Sequence, residues 1–370
     1  MEGGYFPILR DRVRVREFNS LFLFVTSRCN ARCRTCFYFD KLNSRDDLTV
    51  PQISRISETA PPFRKLWISG GEPFLREELA EIVALFARQN GVRNVNLPTN
   101  GLLPEKIFPA IDRMLRDCPE TAIDLNFSID GLANTHDSIR GVPRNFERTV
   151  ACLEEAARRY QGKPKLRCNV LTVITRENRE EVVELARRLA NIGIDGHYFE
   201  TVRGQAPDPS LKNLSRDSVA GLHRRLMPFH RDYAKKLFAR LPAGVRQLAR
   251  LWYLGNLRFH YDLHEQCLES PEAWPMPCTA GETSIVIDHN GRFRACEMRG
   301  ILGDLHDFDF DIRRALQSTA MRAEVAAIPK ANCWCTHSCF IQDSSKFSTA
   351  VQLWRIPLAG LRVKYTNPVE

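Results

Sequence analysis

The sequence has no apolar run that approaches the ~20 residues of a membrane-spanning helix. Its densest apolar stretch, LFLFV at 21–25, has five residues and is typical of a buried strand. The first residues, MEGGYFPILRDRVRVREF, also lack the apolar segment of a secretory signal. These absences argue against a membrane-spanning chain and favour a cytoplasmic protein.

Internal repeats and low-complexity tracts are also missing. The 44% hydrophobic and 26% charged composition is that of a folded globular protein. A length of 370 residues suits one large domain plus a smaller one. The net charge of +9 is spread along the chain, and no nucleic-acid-binding motif accompanies it, so nucleic acid is not expected as a partner.

Twelve cysteines in a reducing compartment argue for metal or cluster ligation rather than disulfides. Three of them, Cys29, Cys33 and Cys36, lie within eight residues and have no fourth beside them. This C-x3-C-x2-C spacing is neither a zinc pattern nor a C-x-x-C redox motif. Four thiolates normally hold the four irons of a [4Fe–4S] cluster, so three would leave one iron open for a ligand.

Strand-like and helix-like segments alternate over the first 205 residues, which predicts βαβ units and a parallel sheet. Periodicity alone fits an open doubly wound sheet or part of a barrel. The predicted strands are 20–27, 65–70, 93–99, 122–130, 165–175 and 195–202. The predicted helices are 50–60, 76–90, 104–115, 146–160 and 178–193.

Unusual residues follow the strands at the ends where parallel α/β folds gather their active sites. Cys29 follows the first strand and the Gly70-Gly71-Glu72 turn the second. The third ends in Thr99-Asn100-Gly101 and the fourth in Ser128-Ile129-Asp130-Gly131, while Asn169 lies within the fifth.

Together these motifs resemble the radical S-adenosylmethionine (radical SAM) superfamily over residues 18–205. The resemblance implies a partial (β/α)6 TIM-like barrel and a catalytic [4Fe–4S] cluster held by the three cysteines. Its open iron would chelate S-adenosylmethionine, whose reductive cleavage gives a 5′-deoxyadenosyl radical that abstracts hydrogen from the substrate. A flavodoxin or ferredoxin would donate the electron.

The same resemblance implies which side chains contact S-adenosylmethionine. The residue before the third cysteine is often aromatic in this family and touches adenine, but here it is Thr35, so Phe37 is the substitute. The implied contacts are Phe37, Gly70, Gly71, Glu72, Thr99, Asn100, Ser128, Asp130, Arg140 and Asn169.

The C-terminal cysteines resemble an auxiliary-cluster domain of the SPASM or shorter Twitch type. Asn290-Gly291 between two strand-like runs, 283–288 and 292–296, predicts a hairpin in which both turn residues have positive φ. The spacing from Cys278 to Gly291 and Cys296 matches the opening of a SPASM domain, but too few thiols follow for two clusters. One auxiliary [4Fe–4S] cluster is expected, with ligands Cys278, Cys296, Cys335 and Cys339, and with Cys333 and then Cys267 as alternatives.

Four-cysteine zinc is the alternative for this C-terminal site. Three further cysteines, Cys118, Cys152 and Cys168, fit buried core positions. Glu200, Arg203 and Asp130 fit salt-bridge partners better than substrate contacts. The expected order along the chain is an N-terminal extension (1–17), a radical SAM core (18–205), a linker and helical segment (206–265), a small α+β auxiliary-cluster domain (266–345) and a tail (346–370).

The expected function is a radical SAM oxidoreductase or maturase that performs a two-electron oxidation or forms a C–S or C–C bond. A small-molecule or lipid-linked substrate would suit the basic segment 224–258 and the tail 351–365, whose mixed apolar and basic residues also fit membrane contact. A ribosomally made peptide is the alternative substrate. A non-enzymatic iron–sulfur redox protein is the alternative from another class, but it leaves the Gly-Gly-Glu motif unexplained.

Overall fold

The computed structural model describes residues 16–269, 274–331, 333 and 335–365. The first 15 residues of the predicted N-terminal extension and residues 366–370 of the predicted tail therefore lie outside the described residues. In the described part of the chain, nine strands form one sheet. They are β1 (Ser20–Phe24), β2 (Lys65–Ser69), β3 (Asn94–Thr99), β4 (Ala122–Ser128), β5 (Leu166–Ile174), β6 (Gly196–Thr201), β7 (Ser284–Ile287), β8 (Arg292–Arg294) and β9 (Gly303–Asp304).

The helices connect the strands and build the C-terminal half of the molecule. They are α1 (Val50–Thr59), α2 (Leu79–Asn90), α3 (Pro104–Asp117), α4 (Ala133–Arg140), α5 (Asn145–Arg159), α6 (Val182–Ala190), α7 (Arg216–Leu237), α8 (Ala243–Glu269), α9 (Ile312–Leu316), α10 (Thr319–Lys330), α11 (Ser338–Lys346) and α12 (Ile356–Tyr365). A π-helical turn, Val351–Arg355, leads into α12. None of the helices in the described residues is both long and apolar enough to span a membrane.

Strands β1 to β6 are neighbours in chain order and all parallel. This arrangement confirms the predicted parallel α/β fold of a partial TIM-like barrel rather than a doubly wound sheet, whose strand order would reverse. The carboxyl ends of all six strands therefore lie at one edge, where β1 leads into the cysteines.

The C-terminal hairpin extends this sheet instead of forming a separate one. Strand β7 pairs with β1 in parallel, and β8 and β9 follow in antiparallel order. The hairpin is confirmed, but only Gly291 has positive φ, +88°. The Asp288 N–H donates to the Arg292 carbonyl oxygen at 2.8 Å, which closes a three-residue loop in which only the last residue is left-handed.

Two short helices, α9 and α10, follow the hairpin instead of one long helix, because two caps divide this stretch. The Asp311 side chain accepts from the Arg313 and Arg314 N–H groups at the start of α9. The Ser318 side chain accepts from the Met321 N–H and begins α10. In the predicted linker and helical segment, 206–265, the long helix α7 begins at Arg216, directly after its cap Ser215.

Aromatic stacking joins the barrel to the C-terminal half of the molecule. The Phe22 ring on β1 stacks on Trp67 of β2 with ring centroids 5.4 Å apart and on Phe340 of α11 at 4.7 Å. Phe22 and Phe340 are buried, so the C-terminal thiols near α11 are held against the first two strands.

Candidate functional site

The loop after β1 holds Cys29, Cys33 and Cys36, which are all partly buried. The Ala31 N–H points at the Cys29 sulfur, 3.4 Å away, and the Tyr38 N–H is hydrogen-bonded to the Cys36 sulfur. Burial raises the pKa of Cys29 to about 12 and that of Cys36 to about 11. Backbone N–H groups directed at sulfur are the hydrogen bonds that stabilise cluster-bound thiolates, so the loop fits an iron–sulfur cluster.

Gly70 and Gly71 let this loop lie directly on the end of β2. A Cβ at Gly71 would be 2.1 Å from the Arg28 carbonyl oxygen. A Cβ at Gly70, whose φ is +136°, would be 2.4 Å from the Thr26 carbonyl oxygen. The Gly71 N–H donates to that Thr26 oxygen at 2.8 Å. Only glycine therefore permits this approach.

Glu72 lies buried between β2 and β3. Its carboxylate accepts from the Asn100 N–H at 2.7 Å and from the Thr99 hydroxyl at 3.0 Å. Burial raises the pKa of Glu72 to about 7 despite these hydrogen bonds. The Asn100 amide in turn donates to Asn30 Oδ1 at 2.7 Å, which ties this carboxylate site to the cysteine loop.

Arg140, at the end of α4, brings a positive charge to the middle cysteine. Its Nη1 lies 3.7 Å from the Cys33 sulfur, and its Nε lies 2.8 Å from Asp130 Oδ2. The other Asp130 oxygen accepts from the Val173 N–H at 2.8 Å. Asp130 therefore positions Arg140, while its predicted contact with S-adenosylmethionine stays a prediction.

Asn169 has an acceptor that faces no donor among the described residues. Its side chain is buried in β5, and its Nδ2 donates to Asn126 Oδ1 at 3.3 Å. Its own Oδ1 has no hydrogen-bond partner in the described part of the chain. A buried acceptor without a donor favours a bound polar ligand. Ser128, one strand away at the end of β4, is half-buried.

Four of the six C-terminal thiols form one group, with Cys267 a further electrostatic neighbour of Cys335 and with Cys339 in different surroundings. Cys278 and Cys333 hydrogen-bond to each other, and this bond lowers the pKa of Cys333. Cys333 also lies close enough to Cys296 and Cys335 for their charges to interact, although burial is the main cause of their raised pKa values. The electrostatic neighbours of Cys339 are Glu200, Arg203, Glu297 and Lys65.

Backbone N–H groups point at these C-terminal sulfurs as they do in the first loop. The Met298 N–H lies 3.4 Å from the Cys296 sulfur, and the His337 N–H lies 3.4 Å from the Cys335 sulfur. Among the described residues, no three His, Cys, Asp or Glu side chains are arranged around a single metal ion. The N–H groups directed at sulfur fit cluster-bound thiolates here as in the first loop, while the zinc alternative stays a prediction.

A buried ion-pair network connects the two groups of thiols. Arg203, after β6, donates to Glu200 at 2.6 Å, lies 3.6 Å from Glu297 and stacks 4.7 Å above the Phe37 ring. Glu297, which follows Cys296, also hydrogen-bonds His337. Arg203 and Glu200 thus form salt bridges, as expected from the sequence. Sequence reasoning gave no role to Glu297 or His337, although Glu297 directly follows a cysteine.

A second network joins the cysteine loop to the β7–β8 hairpin. The Tyr38 hydroxyl lies 2.6 Å from His289 Nδ1, and the Ser44 hydroxyl lies 2.8 Å from His289 Nε2. The Leu48 N–H donates to the His289 carbonyl oxygen at 2.6 Å. The buried His289 therefore fixes the loop that carries the first three thiols against the C-terminal half.

Residues 23–189 match the family model described as the Radical SAM superfamily. They include the three clustered cysteines, the Gly-Gly-Glu turn and the strand ends described above. This part of the chain belongs to the radical SAM superfamily. S-adenosylmethionine and a [4Fe–4S] cluster are therefore its implied ligands, and the thiol loop fits the cluster.

Curated relatives match over about half of the chain. A GTP 3′,8-cyclase of Geobacter sulfurreducens is 33% identical over 178 residues, which are 46% of this chain and 52% of that protein. An AdoMet-dependent heme synthase of Methanosarcina barkeri is 32% identical over 192 residues, 50% of this chain and 52% of that one. The chain thus spans about half the length of these curated relatives.

Solved structures share the fold of most of the chain. The structure of anSMEcpe with bound AdoMet has a TM-score of 0.59 at 17% identity and covers 93% of this chain and 95% of that one. SuiB of Streptococcus suis bound to its precursor peptide SuiA has a TM-score of 0.51 at 16% identity, with 83% and 67% covered. At these identities the likeness shows the fold alone, including the C-terminal half.

Proposed function

We propose that this protein is a radical SAM enzyme that carries out a two-electron oxidation with one auxiliary [4Fe–4S] cluster. The observation that carries the proposal is the presence of two groups of thiols connected through Phe37, Arg203 and Glu297. Three thiols with an adjacent arginine fit a cluster that binds a ligand. Four mutually interacting thiols fit a fully ligated cluster, whose function is electron transfer.

At the first site, Cys29, Cys33 and Cys36 would hold the catalytic cluster. S-adenosylmethionine bound there supplies, on one-electron reduction, the 5′-deoxyadenosyl radical that abstracts hydrogen from the substrate. The Glu72 carboxylate would accept hydrogen bonds from the cofactor's amino group, and the unpaired Asn169 Oδ1 would accept one from a ribose hydroxyl.

The remaining implied contacts with S-adenosylmethionine follow from the family motif and from the position of each residue in the fold. Phe37 would lie against the adenine, with Arg203 on its ring. Arg140 would balance the charge of the Cys33 thiolate and of the cofactor's carboxylate. The backbone at the second, third and fourth strand ends would line the rest of the cofactor, through Gly70, Gly71, Thr99, Asn100, Ser128 and Asp130.

At the second site, Cys278, Cys296, Cys333 and Cys335 form the ligand set that the contacts favour. Cys339, preferred from the sequence, remains the alternative to Cys333. Loss of one hydrogen atom leaves a substrate radical, and loss of one further electron and one proton completes a two-electron oxidation. The electron would pass to the second site. A flavodoxin or ferredoxin would deliver the first electron.

The substrate class is a small molecule or a lipid-linked intermediate, as the basic segment before the second site suggests. A peptide is the second candidate, and a specific observation favours it. Solved structures of similar fold contain peptides, namely SuiB with SuiA and anSMEcpe with the Cp18Cys peptide.

Uncoupled cleavage of S-adenosylmethionine tests the proposed chemistry without a known substrate. The anaerobically reconstituted chain, with dithionite and S-adenosylmethionine, should form 5′-deoxyadenosine and methionine, measured by mass spectrometry. Cys36→Ser should form neither product, whereas Cys152→Ser, which alters a buried thiol outside both sites, should behave as the wild type. Equal product from Cys36→Ser and wild type would refute the proposed role of the first site.

A further inference from the structure

The last helical segment turns an apolar face with two arginines toward solvent. We call the exposed side of the π-helical turn and α12 the tail face, and define it by Leu353, Trp354, Arg355, Leu358, Leu361 and Arg362. Its four apolar side chains are 40–68% exposed, and Trp354 is the most exposed of them. Among the described residues, the other strongly exposed apolar side chains lie apart from the tail face, with the exception of Leu248.

The opposite side of this segment packs too closely on α8 for the tail face to be a frayed end. A Cβ at Gly255 would be 2.1 Å from the Ile356 carbonyl oxygen, and one at Gly360 would be 2.3 Å from the Leu251 carbonyl oxygen. Val351 is also buried. The close packing of α8 and α12 therefore holds the tail face in place, and its apolar side chains form a preformed surface.

These contacts also show that the two helices run antiparallel, since Gly255 meets Ile356 and Leu251 meets Gly360. Leu248, 68% exposed on α8, therefore lies toward the C-terminal end of α12. It extends the exposed apolar surface across the helix pair.

Charge on this segment has one sign. Residues 344–369 contain no Asp or Glu and four basic residues, Lys346, Arg355, Arg362 and Lys364. Arg355 and Arg362 are exposed and form no ion pair with a carboxylate of the described residues. Elsewhere on the molecule, exposed arginines commonly pair with a nearby acid, as Arg144 does with Glu147.

We propose that the tail face docks peripherally on an anionic lipid surface. Tryptophan favours the membrane–water interface, and leucines on the same helix face enter the acyl boundary. Arginine lays its aliphatic stem on apolar surface while its guanidinium reaches lipid phosphate. None of the six residues of the tail face lines the cavity formed by Phe18, Leu316 and Met321. This proposal goes beyond the proposed reaction and does not depend on it.

Vesicle co-sedimentation of the full chain tests the proposal. The wild type should bind equimolar phosphatidylglycerol–phosphatidylcholine vesicles and bind pure phosphatidylcholine more weakly. Trp354→Ser/Leu358→Ser should weaken binding by at least about tenfold, because two apolar side chains no longer enter the interface. Arg355→Ala/Arg362→Ala should weaken it by about fivefold per arginine and reduce its salt dependence.

The matched controls are Ile301→Ser and Arg313→Ala, which alter exposed residues away from the tail face and should bind as the wild type does. Trp354→Phe should remove the blue shift of tryptophan fluorescence on vesicle addition. Wild type that pellets no more with mixed vesicles than without them would overturn the proposal. So would a wild-type dimer that Trp354→Ser/Leu358→Ser dissociates, because the tail face would then bind a second copy of this chain.

Discussion

The loop after β1 brings three thiols together within eight residues, whereas the C-terminal thiols come from three segments spread over residues 278–339. In the first group the sulfurs meet backbone N–H groups and the guanidinium of Arg140. In the second group, backbone N–H groups again point at sulfur, and Cys333 interacts electrostatically with the other three sulfurs. Three thiols leave one iron of a [4Fe–4S] cluster open to an exchangeable ligand, whereas four thiols can hold all four irons.

Gly71→Ala should give the largest effect, because it breaks the first group and leaves the second intact. The new Cβ would overlap the Arg28 carbonyl oxygen, and relief of this contact displaces the cysteine loop at a cost of about 3 kcal/mol. We expect no detectable 5′-deoxyadenosine and the loss of about four irons per chain. Gly300→Ala is the control, since a Cβ there meets nothing within 4 Å. Full activity of Gly71→Ala would contradict the described packing.

Cys333→Ser and Cys339→Ser test which of these two sulfurs is a cluster ligand in the second group. Cys333→Ser should lose about four irons, because it removes a sulfur that interacts electrostatically with the other three. Cys339→Ser should keep them, since Cys339 lies beside Glu200 and Arg203. Iron and sulfide counts with electron paramagnetic resonance provide the measurement. The opposite pattern would return Cys339 to the ligand set and exclude Cys333.

Glu72 should make the stability of the iron-free chain depend on pH. Burial raises the pKa of Glu72 from 4.5 to about 7, so between these values the folded chain keeps a proton that the unfolded chain has lost. The contribution of Glu72 to the free energy of unfolding must then fall by about 3 kcal/mol as pH rises through this window. Glu72→Gln should remove that slope in urea unfolding, whereas the exposed Glu154→Gln should retain it. If the free energy of unfolding depended on pH equally in both variants, the raised pKa of Glu72 would be contradicted.

Cys118→Ala should have the smallest effect, because Cys118 belongs to neither group. It is buried at the end of α3, and truncation of one small side chain costs about 1 kcal/mol. The free energy of unfolding from a denaturant titration should fall by that amount, with an unchanged iron count. A loss of iron from this variant would show that the two groups do not account for all cluster ligands.

Local patterns predicted the first group and its surroundings. Each of these features lies within a short segment, and the segments follow one another at successive strand ends. The features are the six parallel strands, the Gly-Gly-Glu turn and the three cysteines. The ion pair of Arg140 with Asp130 was less predictable, because both residues were also implied contacts of S-adenosylmethionine. That contact depends on how α4 packs back on β4.

The second group shows what sequence reasoning could not supply. Cys333 and Cys339 are six residues apart, and only the start of α11 at Ser338 decides which neighbours each one meets. The parallel pairing of β7 with β1 joins segments more than 250 residues apart. The contact of Arg203 with Glu297 likewise spans two halves of the chain. Such contacts arise from tertiary packing, which periodicity and spacing do not encode.

Iron and sulfide counts after anaerobic reconstitution test the central claim most directly. The wild type should hold about eight irons and Cys29/Cys33/Cys36→Ala about four, with cleavage of S-adenosylmethionine in the wild type alone. This result would establish two [4Fe–4S] clusters with different functions. About four irons in the wild type, all lost in the triple variant and accompanied by zinc, would contradict the account, because the C-terminal thiols would then hold a structural metal.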